Sequence, residues 1–557
     1  MKAARLIYLP LGGAGEVGMN AYVYGYGPKD KERLILVDLG VTFPDMDGTP
    51  GVDLILPDIA WLEERRDRLE AIFITHAHED HVSALGHLWS RLRVPVYARN
   101  FTARIASRKM QEAGQPADQV LTVGALPETV TAGPFAVQFV PVSHSLPEAS
   151  GLLIESPAGR VLHTGDFKLD LSPGVGEPFD EGLFAGLGKA GVKALVCDST
   201  NVFNTHAGRS ESSLPGPITD LVRNARGMVV ATTFASNVAR LRTLARAGRE
   251  AGRSVCLLGR AMHNMVRTAT EAGLLADFPP TVTPEEAAKL PREQVLVIAT
   301  GSQGERRAAS AQLARGSFMG LKLQEGDLFL FSSMTIPGNE RPVLRVVNAL
   351  SEMGVDVVDA SGGLYHVSGH ANRPDLERMH ELLQPAMVVP MHGEHRHLRR
   401  HAAIAAERGI ASVVAPNGSL VDLTGEVPQI VEHVDAGRIY LDGTALYGAL
   451  DGVVRERIRM ALNGHVLVTL IIDEDGLPMG DAWADAQGLA RNGRGGQPLN
   501  ELIEDELAEE LERANRKLLA NDDKLIEAIK RRVRHCCLDE IGKKPEVTVV
   551  ISRLSDN

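Results

Sequence analysis

Thr75-His76-Ala77-His78-Glu79-Asp80-His81 closes the apolar run Ala71-Ile72-Phe73-Ile74. A short apolar run that ends in polar residues reads as a buried strand delivering its last side chains to a loop. The whole chain holds 18 histidines in 557 residues, so three histidines and an aspartate within six residues are a concentration with a purpose. Imidazole nitrogen and carboxylate oxygen are good ligands for zinc and similar divalent ions. Alternation along an extended segment puts His76 and His78 on one side, and a bend into the helix-forming run that follows aims Asp80 and His81 at a neighbouring point. One loop thus offers two pairs of ligands to two metals.

Two metals need more ligands than this loop holds. Three further strand ends supply them: His144 in Val142-Ser143-His144-Ser145, Asp166 in Leu162-His163-Thr164-Gly165-Asp166, and His392 in Pro390-Met391-His392-Gly393-Glu394. His163 precedes a Thr-Gly turn inside a strand and is given a packing role.

The composition fits a multidomain globular protein. Hydrophobic residues make up 44% and charged residues 23%, and the length allows two to four domains. The net charge of -12 excludes a uniformly basic surface but not a local basic groove. The four cysteines, Cys197, Cys256, Cys536 and Cys537, are too few for a disulfide framework, and no apolar leader or membrane span is read. The expectation is a cytoplasmic protein without a membrane partner.

Helical patterns over 82–91 and 102–113 alternate with apolar strands in the first part of the chain, giving an α/β class. A βα rhythm from about 215 to 360 reads as a second α/β domain, inserted because the strand before His392 again ends on a histidine. The glycine-bearing stretch 431–463 reads as a linker with short strands. A C-terminal α+β unit follows, with strands over 465–473 and 546–552 and helices over 499–520 and 523–537. The expected boundaries are 1–212, 213–362, 363–430, 431–463 and 464–557.

Gly13-Ala14-Gly15-Glu16-Val17-Gly18, with Asp38 twenty residues on, spells a dinucleotide fingerprint. That fingerprint needs a helix opening at the glycines to face a pyrophosphate. Here the glycines run into the β-prone Ala21-Tyr22-Val23-Tyr24, so a tight strand-to-strand turn is expected.

The H-x-H-x-D-H loop, the later single His144 and the Thr164-Gly165-Asp166 turn resemble the metallo-β-lactamase superfamily. The resemblance implies an αββα sandwich with His76, His78 and His144 on one zinc, Asp80 and His81 on the other, and Asp166 bridging. Tyr365-His366-Val367-Ser368-Gly369-His370, followed by Met391-His392-Gly393-Glu394, resembles the β-CASP branch, which acts on nucleic acids. That match implies Asp198 as the first β-CASP acid, His366 as the second element and His392 as the ligand completing the second zinc site. Segments 11–20, 51–58, 234–237, 300–305 and 336–340 are similar to the bacterial ribonuclease J family, and the likeness runs from about residue 5 to the last strand.

This resemblance implies a ribonuclease with two zinc ions per chain, or another divalent ion. The implied activity is 5′-to-3′ exonuclease action preferring 5′-monophosphate RNA, with endonuclease activity, in RNA maturation and decay (rRNA processing and mRNA decay). Asp80 holds a metal and the attacking water, and His366, oriented by Asp198, assists the leaving oxygen. Ser236, Asn237, His366, Val367, Ser368, Gly369 and His370 form the substrate pocket; Ser236-Asn237 also suits a helix N-cap. The basic run 394–401 suits either an RNA channel or a solvated helix face. Self-association through the C-terminal unit, as dimer or tetramer, and RNA-degradation or ribosome-associated partners are implied as well. The competing readings are a small-molecule metallo-hydrolase, which has no use for the inserted domain, and a catalytically silent RNA-binding subunit, which should have lost metal ligands.

Overall fold

In the computed structural model, residues 4–554 are described; the first three and the last three residues lie outside them. The chain forms two compact units, one of Met1–Thr42 with Leu56–Arg438 and one of Phe43–Ile55 with Ile439–Asn557.

The larger unit contains two sheets packed face to face. The eight-stranded sheet includes Ala4–Gly12, Ala21–Pro28, Arg33–Val37 and Leu69–Ile74, and the seven-stranded sheet includes Phe135–Pro141, Ser150–Ser156, Gly159–His163, Ala194–Asp198 and Met387–Met391. Their facing side chains, among them Tyr8, Tyr24, Phe73, Phe139, Leu152 and Val389, make one buried core. The outer face of the seven-stranded sheet is covered by apolar residues of the helices Glu181–Ala190, Arg373–Leu383 and His395–Glu407. The helix Asn100–Glu112 lies against the strands Val96–Ala98 and Val120–Thr122 of the eight-stranded sheet, so helix, two sheets and helix form the expected sandwich.

Ala194–Asp198 pairs in parallel with Met387–Met391, so the intervening chain leaves the sandwich and returns to it. Within that excursion lies a six-stranded, wholly parallel sheet, in the order Thr281–Val282, Ser254–Leu258, Val295–Ala299, Val229–Thr232, Leu328–Phe331, Asp356–Val358. Its strands are continuous apolar runs because apolar clusters cover both faces.

The smaller unit carries a three-stranded sheet of Trp483–Gln487, His465–Ile472 and Glu546–Arg553, with the helices Leu499–Glu512 and Asp522–Ile541 packed on one face. Two sequence readings need revision here. The stretch expected as a linker also carries the eleven-residue helix Val453–Asn463, started by Gly452 and stopped by Gly464. Phe43–Ile55, expected within the first domain, belongs to this unit, where Asp53 donates its N–H to Leu441 O at 2.8 Å. All four cysteines are free and buried, and no helix among the described residues is long and apolar enough to cross a membrane.

The dinucleotide-like glycines open no helix. Ala14–Gly15 is a two-residue strand beside Gly393–Glu394, and Gly13 has φ +82°, where a Cβ would meet Asn20 Oδ1 at 2.2 Å. The turn is a strand-to-strand connection, as its β-prone continuation required.

Candidate metal centre and its surroundings

Five strands of the sandwich end at one point. Leu69–Ile74 delivers His76 and His78, Phe135–Pro141 leads to His144, Gly159–His163 to Asp166, Ala194–Asp198 ends on Asp198, and Met387–Met391 leads to His392. Three of these strands run parallel and adjacent, so their ends share one edge. Gly165 and His392 turn their strand ends with φ of +56° and +48°.

Two groups of ligand atoms result, each within 4.8 Å of one another: His76, His78, His144 and Asp166, and Asp80, His81, Asp166 and His392. Asp166 stands between them, with Oδ2 at 3.5 Å from His76 Nε2 and 3.2 Å from His81 Nε2. A third group, Asp166, Asp198, His370 and His392, shares two members with the second.

The tautomers follow from the outer hydrogen bonds, since a neutral imidazole carries one N–H. His144 Nδ1–H donates to Gly369 O at 2.6 Å, and His81 Nδ1–H donates to Asp38 Oδ2 at 2.7 Å. The Thr75 hydroxyl donates to Asp38, so at 3.0 Å it accepts from His76 Nδ1–H. Thr200 likewise donates to Asp198 Oδ1 and accepts from His392 Nδ1–H at 2.7 Å. As neutral imidazoles, all four rings would thus turn a bare Nε2 inward. His76 Nε2 lies 3.0 Å and His144 Nε2 3.1 Å from His78 Nδ1, so three imidazole nitrogens converge on one point. Outer partners that fix the ring and tautomer of each histidine are what metal sites use.

The electrostatics agree. Burial holds His76 and His144 well below the ordinary imidazole value and takes His78 to about 4, so all three are neutral donors. In the second group burial pulls the same way, but carboxylates outweigh it: Asp166 and Asp80 raise His81, and Asp166, Asp198 and Asp80 raise His392 to about 10. This half of the site is short of positive charge. Asp166 Oδ1 is buried without a hydrogen-bond partner, which fits an atom kept for a cation. The residues present thus fit a divalent metal site.

Residues that the sequence reading left aside build the floor. Asp38 holds both Thr75 and His81. Asn20 donates Nδ2–H to Asp80 O at 3.0 Å, and its backbone N–H reaches the same carbonyl at 2.9 Å. Gly40 lies so close that a Cβ would sit 1.7 Å from Asp80 O. The signal for Asp38 was a strand ending in an acid beside the strand that carries the histidine loop.

The expected pairing of Asp198 with His366 is not what the structure shows. Asp198 Oδ2 accepts from His370 Nδ1 at 2.8 Å, whereas His366 Nδ1 lies 3.3 Å from Arg240 Nη1. Two histidines share a short irregular loop, where spacing carries no periodicity to tell them apart. Asp198 and Asp166 raise the His370 imidazole against burial, and burial together with Arg240 takes His366 down to about 3. Arg240 is fully buried, paired through Nε and Nη2 with Glu211 at 2.6 and 2.9 Å, and donates to Ser332 O at 2.7 Å.

Of the other residues expected to line a substrate pocket, Ser368 Oγ accepts from Asn201 Nδ2 at 2.7 Å, Gly369 O holds His144, and Val367 is buried in the apolar cluster of the inserted sheet. Asn237 caps the helix Val238–Glu250, its side chain accepting from Arg240 N at 2.9 Å, while Ser236 beside it is half-buried. The basic run 394–401 lies at the start of the helix His395–Glu407, with His401 buried and Arg396 exposed.

Comparison with known proteins places these features. Residues 14–206 match the metallo-beta-lactamase superfamily, 226–350 the ribonuclease J beta-CASP domain, 364–416 the Zn-dependent metallo-hydrolase RNA specificity domain, and 452–554 the ribonuclease J C-terminal domain. Fold and cluster together define a metal-dependent hydrolase of the metallo-β-lactamase class with a β-CASP insertion. Ribonuclease J of Sinorhizobium meliloti is 41% identical over 99% of this chain and 97% of its own length. Ribonuclease J of Mycolicibacterium smegmatis is 37% identical over 89% of each chain, and ribonuclease J2 of Bacillus subtilis 31% over 84% of each. The chain belongs to the ribonuclease J family and is a metal-dependent nuclease that hydrolyses RNA phosphodiester bonds. A solved structure from Enterococcus faecalis V583, described as a protein of unknown function, shares the fold at 19% identity, covering 75% of this chain and all of that one with a TM-score of 0.50.

Proposed function

We propose that the chain is a ribonuclease with two zinc ions per molecule, which degrades RNA 5′ to 3′ from a 5′-monophosphate end and also cuts internally. The observation that carries this reading is Asp166, whose Oδ2 lies within reach of both groups of histidine nitrogens. His76, His78 and His144 would hold one ion, Asp80, His81 and His392 the other, and Asp166 both. Bound there, two divalent ions would activate a water and neutralise charge on the phosphoryl oxygens.

The protein groups do the rest. Asp80, with its side chain 26% exposed where Asp166 is 2% exposed, faces the opening and orients the attacking water. His370, its side chain 22% exposed, keeps Nδ1–H on Asp198 and offers Nε2–H to the leaving 3′ oxygen. His366 takes a different part from the one expected. Arginine only donates, so His366 Nδ1 is an acceptor and Nε2 carries the hydrogen, which makes a fixed neutral donor to a phosphate oxygen. Val367, Ser368 and Gly369 shape this loop, and Ser236 and Asn237 line the pocket for the 5′-phosphate. Action in RNA maturation and decay within the cytoplasm, partners from the RNA-degradation or ribosomal machinery, and dimers or tetramers through the C-terminal unit complete the reading.

Zinc analysis combined with digestion of 5′-monophosphate and 5′-triphosphate RNA tests it. Two zinc ions per chain, stepwise release of mononucleotides and faster digestion of the monophosphate are expected. Inactivity on both RNAs with two metals bound sinks the proposal.

A further inference from the structure

Phe203 is 51% exposed although it lies only five residues beyond Asp198. The turn that carries it is firmly held. Val202 is fully buried, Val202 N–H donates to Ser199 O at 3.2 Å, and Asn204 N–H donates to Asn201 O at 2.9 Å. Asn201, on the same turn, donates to Ser368 Oγ and to His370 O. Exposure of the ring is thus not looseness of the backbone. It is imposed by residues that also fix the loop of His370.

Two side chains from the helix that follows His392 dress the ring. The Arg396 guanidinium carbon lies 5.5 Å from the Phe203 centroid, and the His397 ring meets it edge-on at 5.2 Å and 61°. Arg396 is itself steadied by Glu394, which accepts from Nε at 2.9 Å. His397 leans on the strand ends, since a Cβ on Gly393 would meet its Cβ at 2.9 Å. The cluster stands beside the centre: Phe203 is three residues from Thr200, the partner of His392, and three residues of extended chain span at most about 11 Å.

An exposed aromatic ring with an arginine over it, next to a phosphodiester-cleaving centre, is the chemistry that stacks unpaired bases. We infer that Phe203, with Arg396 and His397, forms a subsite that stacks one nucleobase of single-stranded RNA beside the scissile phosphate. Every base has a π-face, so the subsite is tolerant of sequence and acts on substrate binding rather than on bond breaking. This inference rests on the nuclease reading of the same centre.

The test uses the full-length, metal-loaded enzyme and a 5′-monophosphorylated single-stranded oligoribonucleotide. Phe203→Ala and Phe203→Leu should each raise KM about tenfold with kcat within about twofold, and Phe203→Trp should restore wild-type KM. A series of substrates, each with one abasic nucleotide, should contain a position that raises the wild-type KM similarly and adds nothing in Phe203→Ala. Wild-type KM in Phe203→Ala overturns the subsite, and so does rescue by Leu as good as by Trp, which would mean plain apolar contact. An additive effect of the abasic nucleotide and Phe203→Ala at every position overturns it too. A metal-loaded wild type that cleaves no RNA counts against the nuclease reading instead. Fluorescence anisotropy of the labelled oligoribonucleotide then decides the subsite by the same comparison of variants.

Discussion

His370 donates Nδ1–H to Asp198 Oδ2 across 2.8 Å, at the end of the strand Ala194–Asp198. Asp198 also anchors Thr200, which holds His392. One carboxylate thus sets the orientation of both the buried His392 ring and the partly exposed His370 ring. Asp198→Asn should lower kcat by about 10² to 10⁴, the range of general acid–base assistance, and His370→Ala should do the same. His366→Ala should act mainly on KM. Steady-state kinetics with metal content measured alongside separate the three; a larger kcat loss in His366→Ala than in His370→Ala reverses the assignment.

Removal of metal should abolish hydrolysis, and the variants should report which group holds what. Asp166→Asn, which weakens the residue placed between the two groups, should bind fewer than one equivalent of metal, whereas His78→Ala should lose metal from one group first. Plasma emission analysis after dialysis, with activity restored or not by added zinc, checks both. Full occupancy in Asp166→Asn would show that this carboxylate bridges nothing.

The buried pair of Arg240 and Glu211, with side chains 0% and 5% exposed, joins the segment entering the inserted sheet to the helix Val238–Glu250. Removing one partner strands a charge, so Arg240→Met should cost about 3–5 kcal/mol. The double variant Arg240→Met with Glu211→Met should recover much of that. Urea midpoints of the single and double variants decide it, and a double variant no better than the single places the cost in the other bonds of Arg240.

His380 and His401 face each other Nε2 to Nε2 at 3.2 Å, both buried, between the helices Arg373–Leu383 and His395–Glu407. Burial lowers His380 to about 4 and His401 to about 3. The unfolded chain takes up protons near pH 6.5 while the folded pair does not. Their stabilisation is therefore complete above that pH and is lost as pH falls from about 6.5 towards 4, with a slope of up to about 1.4 kcal/mol per unit for each group. In chelated protein, His380→Asn should show a smaller fall in melting temperature between pH 7 and pH 5.5 than the wild type. An identical fall means the pair does not titrate in this window.

The sandwich was legible because its strands are apolar runs that stop on chemically distinctive residues, and His76, His144, Asp166 and His392 all sit at such stops. Asp38 escaped because its partner His81 lies 43 residues on, and local spacing does not encode a contact made through neighbouring parallel strands. Its place twenty residues beyond a GxGxxG-like stretch pointed instead to a nucleotide, for which no helix opens at the glycines. Asn237 shows the reverse: its helix-cap role was open to sequence reasoning, and the structure realises it. The helix Val453–Asn463 was hidden between glycines that read as a connector but act as its ends.

The smaller unit is not a segment that one cut can remove. Phe43–Ile55 reaches it from near the start of the chain: Asp53 bonds Leu441 and Gly443, and Pro50 O accepts from Arg457. During synthesis at about 5–20 residues per second, this segment waits roughly 20–80 s for its partners to emerge. A nascent chain of this protein therefore carries an unpaired piece while the rest of the sandwich and the inserted sheet are made, and the smaller unit closes only after both.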